Sequence, residues 1–260
     1  MPHSAAADTI DHPLEKHGMK TGRIRPLEHP FARGLMVILA MICTRGADSI
    51  ARANENRWES AIKAFEQDDR ETAYPAEAIL FVGSSSIRLW DSLPTDMAPY
   101  PVVQRGFGGA ATADVIHYAD RLLGNHQPPA VVLFVANDIR GNAESDLSPA
   151  TAADLFASFV SQVHSRIPDT TLFIVAVTPT ASRWSVWPQI QKLNHLLARL
   201  CDETADTVFI PTADIYLGPD GRPRDELFRS DRLHLNAAGY AHWTKRIRSY
   251  LDPLLTCRER

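Results

Sequence analysis

Three consecutive serines, Ser84–Ser86, stand directly after the apolar run AILFV (78–82) and Gly83. A serine hydroxyl becomes a useful nucleophile when a neighbouring base takes its proton. Towards the C-terminus, Asp231 and His234 lie three residues apart in DRLHL. That spacing lets one short segment carry both a base and the carboxylate that orients it. These residue types are the ones that acyl transfer through a serine requires.

Short apolar runs alternate with helical patterns along the rest of the chain. The face of the first helical pattern carries Trp58, Ile62 and Phe65. In a second helix Ser148 is a candidate cap and Pro149 suits the first turn. The predicted strands are 78–82, 101–104, 130–135, 171–177 and 207–210. This alternation predicts a three-layer α/β/α sandwich around a five-stranded parallel sheet.

Polar or glycine-rich segments follow the predicted strands. They read GSSS, RGFGGAAT, ANDIRGN and TPTASRWSVW after the first four strands, and SDRLHLNAAGY well past the fifth. In parallel α/β sheets the ligand binds beyond the carboxyl ends of the strands, where the strand order reverses. The serine, glycine, asparagine, aspartate and histidine side chains are therefore expected at one edge of the sheet.

The order and spacing of these segments resemble the SGNH (GDSL-type) hydrolases, a superfamily of serine esterases on a flavodoxin-like sheet. The resemblance covers residues 78 to about 250 and implies that the enzyme needs no cofactor. It selects Ser85 in GSSS, Gly109 in QRGFGG, Asn137 in VANDI, and Asp231 with His234 in DRLHL.

The resemblance also implies a role for each of these residues. Ser85 is the nucleophile, His234 the general base, and Asp231 the carboxylate that holds the imidazole. The backbone N–H groups of Ser85 and Gly109 and the side-chain amide of Asn137 form the oxyanion hole. Activity is expected to fall when acid protonates the imidazole.

Three positions depart from the pattern of that superfamily. Ser84 replaces the usual aspartate, Gln104 replaces an asparagine, and Val135 replaces a glycine. None of these changes removes a group that performs chemistry, although Val135 brings bulk near Asn137. We expect Ser84 and Ser86 to cap free N–H groups at the start of a helix, while Gly83 permits the sharp turn before it.

The N-terminal segment has a different composition from the rest. A basic stretch precedes GLMVILAMIC (34–43), which at about ten residues is too short to span a bilayer. With the small residues of IARA (50–53) it matches a cleavable signal peptide. We therefore predict an N-terminal arm over 1–53, an esterase domain over 54–260, and export; a cytoplasmic location is the alternative.

Composition limits the partners of the protein. The formal net charge is −4 over 260 residues, and there is no basic stripe to favour nucleic acid. Neither CxxC nor HExxH occurs, so no metal site is predicted. No obligate protein partner is evident.

Cys201 and Cys257 remain after signal removal and could pair in an oxidising compartment. Other histidines (His117, His126, His164, His195) are expected at the surface or in packing.

The resemblance leaves the substrate open, as a small-molecule, carbohydrate or lipid ester. A short acyl group such as acetyl is our prediction, from the absence of an apolar lid. Trp184 and Trp187 in the segment after the fourth strand are candidates for substrate contact. Three alternatives stay open: an acyltransferase, a non-catalytic sugar- or lipid-binding protein, and a nucleotide-binding domain that uses GFGGAA.

Overall fold

Five parallel strands form the centre of the domain, in the spatial order β2-β1-β3-β4-β5. The computed structural model describes residues 57–258, so the predicted N-terminal arm and signal peptide lie outside the described residues. The strands are β1 Ile79–Gly83, β2 Val102–Gly106, β3 Ala130–Phe134, β4 Thr171–Val175 and β5 Thr207–Ile210. The predicted five-stranded parallel sheet is confirmed, with strand ends that move by at most two residues.

Helices cover both faces of this sheet. The longer ones are α1 Glu59–Glu71, α6 Pro149–Arg166, α7 Trp187–Glu203 and α9 Ala237–Arg258. The shorter ones are α2 Ser85–Arg88, α3 Leu93–Asp96, α4 Thr112–His117, α5 Ala119–Leu123 and α8 Ala213–Tyr216, with 3-10 turns at Ala181–Val186 and Asp225–Leu227. Within the described part of the chain, no helix combines the length and apolar character needed to cross a membrane.

Alternate residues of each strand face opposite layers of helices. Leu80, Val131 and Ile174 pack with the layer that contains α1, α4, α5, α6 and α7. Phe81 and Val132 pack with α9 and the short helices on the other face. Because both of their faces are buried, β1 and β3 are apolar without interruption, which is the pattern that revealed them in the sequence. β2 also carries Gln104 and Arg105.

Capping residues fix where the helices that flank the site begin. The Ser148 hydroxyl accepts a hydrogen bond from the Thr151 N–H at 3.0 Å, as the sequence predicts. The Asn236 side chain accepts one from the Gly239 N–H at 3.0 Å at the start of α9. This second cap leaves Asp231 and His234 in the loop that precedes α9.

The strand order reverses between β1 and β3. From β1 the chain crosses to β2 on one side, and from β2 it returns to β3 on the other side of β1. In a sheet of this order a cleft opens outside the carboxyl ends of the two strands at the reversal. Ser85 follows β1 and Asn137 follows β3, so both predicted site residues lie beside this cleft.

Candidate active site

Glycines at the ends of β1 and β2 allow α2 to begin directly above the sheet. Gly83 and Gly106 are paired across the two strands. A Cβ on Gly83 would lie 2.0 Å from the Phe134 carbonyl oxygen, and one on Gly106 would lie 2.2 Å from the Arg88 backbone nitrogen. Neither contact is sterically possible, so two glycines bring the serine-bearing turn close to the strand ends.

The three serines have different environments. Ser84 is buried, and its N–H donates to the Phe134 carbonyl at 3.0 Å. Its side chain makes no capping hydrogen bond, so the predicted cap by Ser84 is wrong: the residue is buried against β3 and its hydroxyl accepts no N–H of the helix start. Ser85 is the first residue of α2 and is half-buried, and Ser86 is half-buried beside it.

A chain of hydrogen bonds joins the predicted serine, histidine and aspartate. The His234 Nε2 atom lies 2.9 Å from the Ser85 hydroxyl oxygen. On the other side of the ring, His234 Nδ1 lies 2.7 Å from an Asp231 carboxylate oxygen. Residues 149 positions apart in the chain therefore meet at hydrogen-bond distance, in the order that nucleophilic activation of a serine needs.

The loop before α9 holds the Asp231 carboxylate in place. One carboxylate oxygen accepts the N–H groups of Leu233 and His234, both at 3.0 Å, which forms a tight turn around the aspartate. Partial burial acts to raise the pKa of Asp231. The hydrogen bonds from the His234 side chain and from the two N–H groups outweigh that effect and bring its pKa down to about 2. The carboxylate is therefore charged at neutral pH.

Gly109 and Asn137, the two further oxyanion-hole candidates, are neighbours at the same edge of the sheet. Gly109 has a φ of +80°, which favours glycine there. The Asn137 amide nitrogen donates to the Ala110 carbonyl at 2.8 Å. That bond leaves the second amide hydrogen for another acceptor. The Trp58 indole N–H donates to the Gly108 carbonyl at 2.9 Å and holds this glycine loop against α1.

Arg183 orients the Asn137 side chain. Its guanidinium donates to the Asn137 side-chain oxygen at 2.8 Å and to the Ala136 carbonyl. Burial, with a smaller effect from the nearby Arg140 charge, lowers the pKa of Arg183 to about 10. With the side-chain oxygen held by Arg183, the amide nitrogen of Asn137 must face the opposite way. The sequence indicated Arg183 only as a residue of the segment after β4.

A narrow cavity lies beside Ser85 and His234. Its walls are Ser84, Ser85, Ser86, Phe134, Ala136, Asn137, Thr178, Thr180, Arg183, Leu233, His234 and Leu235. Gly109 lies outside these walls and lines a second cavity, which shares Asn137 with the first. The sequence did not single out Thr178 and Thr180, although both stand in the polar segment after the fourth strand.

The two tryptophans predicted as substrate contacts do not line the cavity beside Ser85. Trp187 is 6% exposed and belongs to the hydrophobic core. Trp184 stacks on it with ring centroids 6.1 Å apart, and the Arg222 guanidinium covers Trp184 at 5.4 Å. Both side chains anchor the start of α7, so the structure gives no support to a substrate role for them.

Two of the residues that depart from the superfamily pattern, Gln104 and Val135, contribute to the packing of the domain. The Gln104 amide donates to the Ile87 carbonyl at 2.6 Å and to the Trp90 carbonyl at 3.2 Å. Gln104 thus binds the end of α2 to β2. Val135 is 1% exposed and packs in the core.

Two aspartates occupy the N-terminus of α4, where a nucleotide phosphate would have to bind. The Asp138 carboxylate accepts the Thr112 N–H at 3.0 Å and the Thr112 hydroxyl at 2.6 Å. Asp114 accepts the Ala111 N–H at 2.8 Å. Burial is the main effect on both carboxyls and raises the pKa of each. Because carboxylates of this chain already bind the N–H groups of Ala111 and Thr112, these two groups are not available to a phosphate.

Metal-binding residues are not clustered in the described domain. Among residues 57–258, no group of three or more His, Cys, Asp or Glu side chains is arranged to hold a metal ion. Cys201 is a free, buried thiol on α7, and burial raises its pKa to about 12. The cluster around Ser85 is thus built from hydroxyl, imidazole, carboxylate and amide groups.

Comparisons with known proteins agree with the fold. The model of the GDSL-like lipase/acylhydrolase family matches residues 81–242, so the chain belongs to that family, within the SGNH hydrolase superfamily. Membership supports hydrolysis of esters in general. No curated protein matches the chain in sequence.

Solved structures share the fold at low sequence identity. A Streptococcus pneumonia protein provisionally named a platelet activating factor is 20% identical, with a TM-score of 0.67 over 80% of this chain and 99% of its own. A GDSL-like lipase from Bacteroides thetaiotaomicron is 17% identical, with a TM-score of 0.61 over 74% and 97%. An acetyl-xylooligosaccharide esterase variant from Geobacillus Stearmophilus is 14% identical, with a TM-score of 0.55 over 66% and 93%.

Proposed function

We propose that this chain is a serine ester hydrolase that cleaves an O-acyl ester through an acyl-enzyme on Ser85. The observation that carries the proposal is the continuous hydrogen-bond chain, with 2.9 Å between Ser85 and His234 and 2.7 Å between His234 and Asp231. Such a chain couples a nucleophile to a base and the base to a carboxylate.

In acylation, the His234 Nε2 atom takes the hydroxyl proton while Ser85 Oγ attacks the ester carbonyl carbon. The charged Asp231 stabilises the imidazolium that forms. Negative charge on the substrate oxygen is met by the N–H groups of Ser85 and Gly109 and by the Asn137 amide. The intermediate collapses when His234 gives its proton to the leaving alcohol, and water later releases the acyl group by the reverse sequence.

We propose a short acyl group, with acetyl the first candidate. Most of the residues that line the cavity beside Ser85 are polar, so the cavity offers little apolar contact to a long hydrocarbon chain. The acetyl-xylooligosaccharide esterase from Geobacillus Stearmophilus has the same fold, and it motivates an acetylated carbohydrate as the first natural substrate to test. Export of the mature enzyme stays a proposal that rests on residues 34–53.

Hydrolysis of p-nitrophenyl esters by the full chain tests the proposal. We expect Ser85→Ala to abolish turnover and Ser84→Ala to retain it, with both variants folded by circular dichroism. Among acetate, butyrate and octanoate esters, kcat/KM is expected to be highest for acetate. Turnover that survives Ser85→Ala contradicts the nucleophile, and kcat/KM that rises with chain length contradicts the short acyl group.

A further inference from the structure

Two buried hydroxyls in the cavity beside Ser85 and His234 have no hydrogen-bond partner among the described residues. Thr178 is 6% exposed and Thr180 is 5% exposed. Both side-chain oxygens are inaccessible, and neither makes a hydrogen bond within the described protein. A buried hydroxyl without a partner is unfavourable, because the hydrogen bonds that it makes with water in the unfolded chain are not replaced. Two of them in one cavity indicate that a polar occupant belongs there.

The cavity has room for a water molecule. A buried water needs roughly 10–15 Å³ and two to four polar partners. The cavity offers about 20 Å³, and its walls include Thr178, Thr180 and His234. Asn137, Arg183 and the three serines add further polar groups to the wall, and only the two threonine hydroxyls among them are both buried and without a partner in the described protein.

The same walls carry the two groups that deacylation needs. Ser85 Oγ would bear the acyl group, and His234 Nε2, 2.9 Å from it, would take a proton from the attacking water. An occupant of so small a cavity is next to both atoms. A water held there has the base and the acyl carbon within reach. Of the proposed oxyanion donors, Asn137 lines the same cavity, whereas Gly109 lies outside its walls.

We propose that Thr178 and Thr180 are positioning residues for the water that hydrolyses the acyl-enzyme. This inference rests on the proposed function. The water oxygen bonds to the acyl carbon, and its proton passes to His234 Nε2. The bond from that carbon to Ser85 Oγ then breaks, His234 returns the proton to Oγ, and the carboxylic acid leaves. The two threonine hydroxyls keep the oxygen of the water aimed at the acyl carbon.

The test compares Thr178→Val and Thr180→Val with a matched control in the full chain. Thr170 is fully buried at the opposite end of β4, and its hydroxyl is likewise without a partner among the described residues. Thr170→Val therefore removes a hydroxyl of the same kind far from Ser85. The fraction of enzyme that carries an acetyl group during steady-state turnover of p-nitrophenyl acetate is measured by intact-protein mass spectrometry after an acid quench.

Each Val variant at 178 or 180 is expected to slow deacylation by about fivefold or more, the effect of one lost hydrogen bond. The acetylated fraction then rises above that of the parent and of Thr170→Val, and the release of p-nitrophenol in the first turnover keeps its rate. Thr178→Ser and Thr180→Ser, which keep the hydroxyl, are expected to restore the low acetylated fraction.

Two results would overturn the inference without touching the proposed function. In the first, acylation and deacylation slow together, which means that the threonines position the ester. In the second, the acetylated fraction stays at the parental value in both Val variants, which means that the hydroxyls have no part in hydrolysis. Failure of the proposed function itself looks different, because the parent chain then forms no acetyl-enzyme and releases no p-nitrophenol.

Discussion

At the scale of single residues, the Asp231 carboxylate determines how well His234 serves as a base. Its two oxygens are both engaged, one by the imidazole at 2.7 Å and one by backbone N–H groups at 3.0 Å. Asp231→Asn keeps the shape and removes the charge. We expect kcat to fall by about 10³–10⁴-fold with the fold retained. Steady-state kinetics on p-nitrophenyl acetate measure the loss; a decrease of less than tenfold would contradict the assigned role.

The low pKa of Asp231 also predicts how stability changes in acid. Its pKa falls from an ordinary 3.8 to about 2 in the folded protein. A carboxyl whose pKa is lowered by folding stabilises the protein above its unfolded pKa, and that contribution disappears as pH falls through the folded value. Urea titrations of the parent and of Asp231→Asn should therefore differ most near pH 5 and converge towards pH 2. The difference in the free energy of unfolding is expected to be small because the Asp231 side chain is 47% exposed and solvent screens its interactions.

The hydrogen bond from Arg183 to Asn137 is a second interaction at this scale that is expected to affect catalysis. Asn137→Ala removes an oxyanion donor and is expected to lower kcat by about 10²–10³-fold. Arg183→Lys keeps the charge but cannot bind both the Ala136 carbonyl and the Asn137 oxygen with the same planar geometry. We expect a decrease in kcat of about tenfold with little change in KM, since Arg183 acts through Asn137. In the Asn137→Ala background Arg183→Lys should have almost no further effect, and additive losses would contradict the positioning role.

At the scale of secondary-structure elements, close contact between α2 and the strand ends sets the position of Ser85. Gly106→Ala puts a Cβ 2.2 Å from the Arg88 backbone nitrogen, which cannot move independently of α2. Gly108→Ala meets only the flexible Arg88 guanidinium, at 2.9 Å. We expect Gly106→Ala to lower the free energy of unfolding by at least about 1–3 kcal/mol. The matched Gly108→Ala should cost less than about 1 kcal/mol, and equal losses in urea titrations would refute the contact.

At the scale of the whole molecule, a buried arginine joins α1 to the sheet. Arg105 on β2 is 1% exposed, and its guanidinium pairs with Asp69 of α1 and lies 5.1 Å from the Phe65 ring centroid. Asp69→Asn leaves the Arg105 charge buried without its partner and should destabilise the domain by about 3 kcal/mol. The exposed neighbour Asp68 provides the control. Thermal unfolding that is the same for Asp69→Asn and Asp68→Asn would contradict the pairing.

Much of this architecture is predictable from the sequence because the strands of a buried parallel sheet appear as distinct apolar runs. Strands buried on both faces are continuously apolar, as in Ile79–Gly83 and Ala130–Phe134. Their carboxyl ends must meet at one edge, so the residues after them are brought together by topology alone. Ser85 and His234 were identifiable for that reason, together with their family resemblance.

Side-chain directions in the loops were not predictable from the sequence. The path after β4 turns Trp187 into the core, aims Arg183 at Asn137, and buries the Thr178 hydroxyl beside Ser85. These outcomes depend on contacts between distant segments, such as those of Arg183 with Ala136 and Asn137, which no short pattern encodes. Ser84 shows the same limit, because its burial against β3 prevents the capping that its position at a helix start suggests.

The most direct measurement of the central claim locates the nucleophile. The full chain is treated with a fluorophosphonate, digested, and the peptide that contains residues 84–86 is fragmented by tandem mass spectrometry. We predict phosphonylation of Ser85 alone, no labelling of Ser85→Ala, and much slower labelling of His234→Ala. A label on Ser84 or Ser86, labelling that persists in Ser85→Ala, or a folded chain that takes up no label would contradict the assignment of Ser85 as the nucleophile.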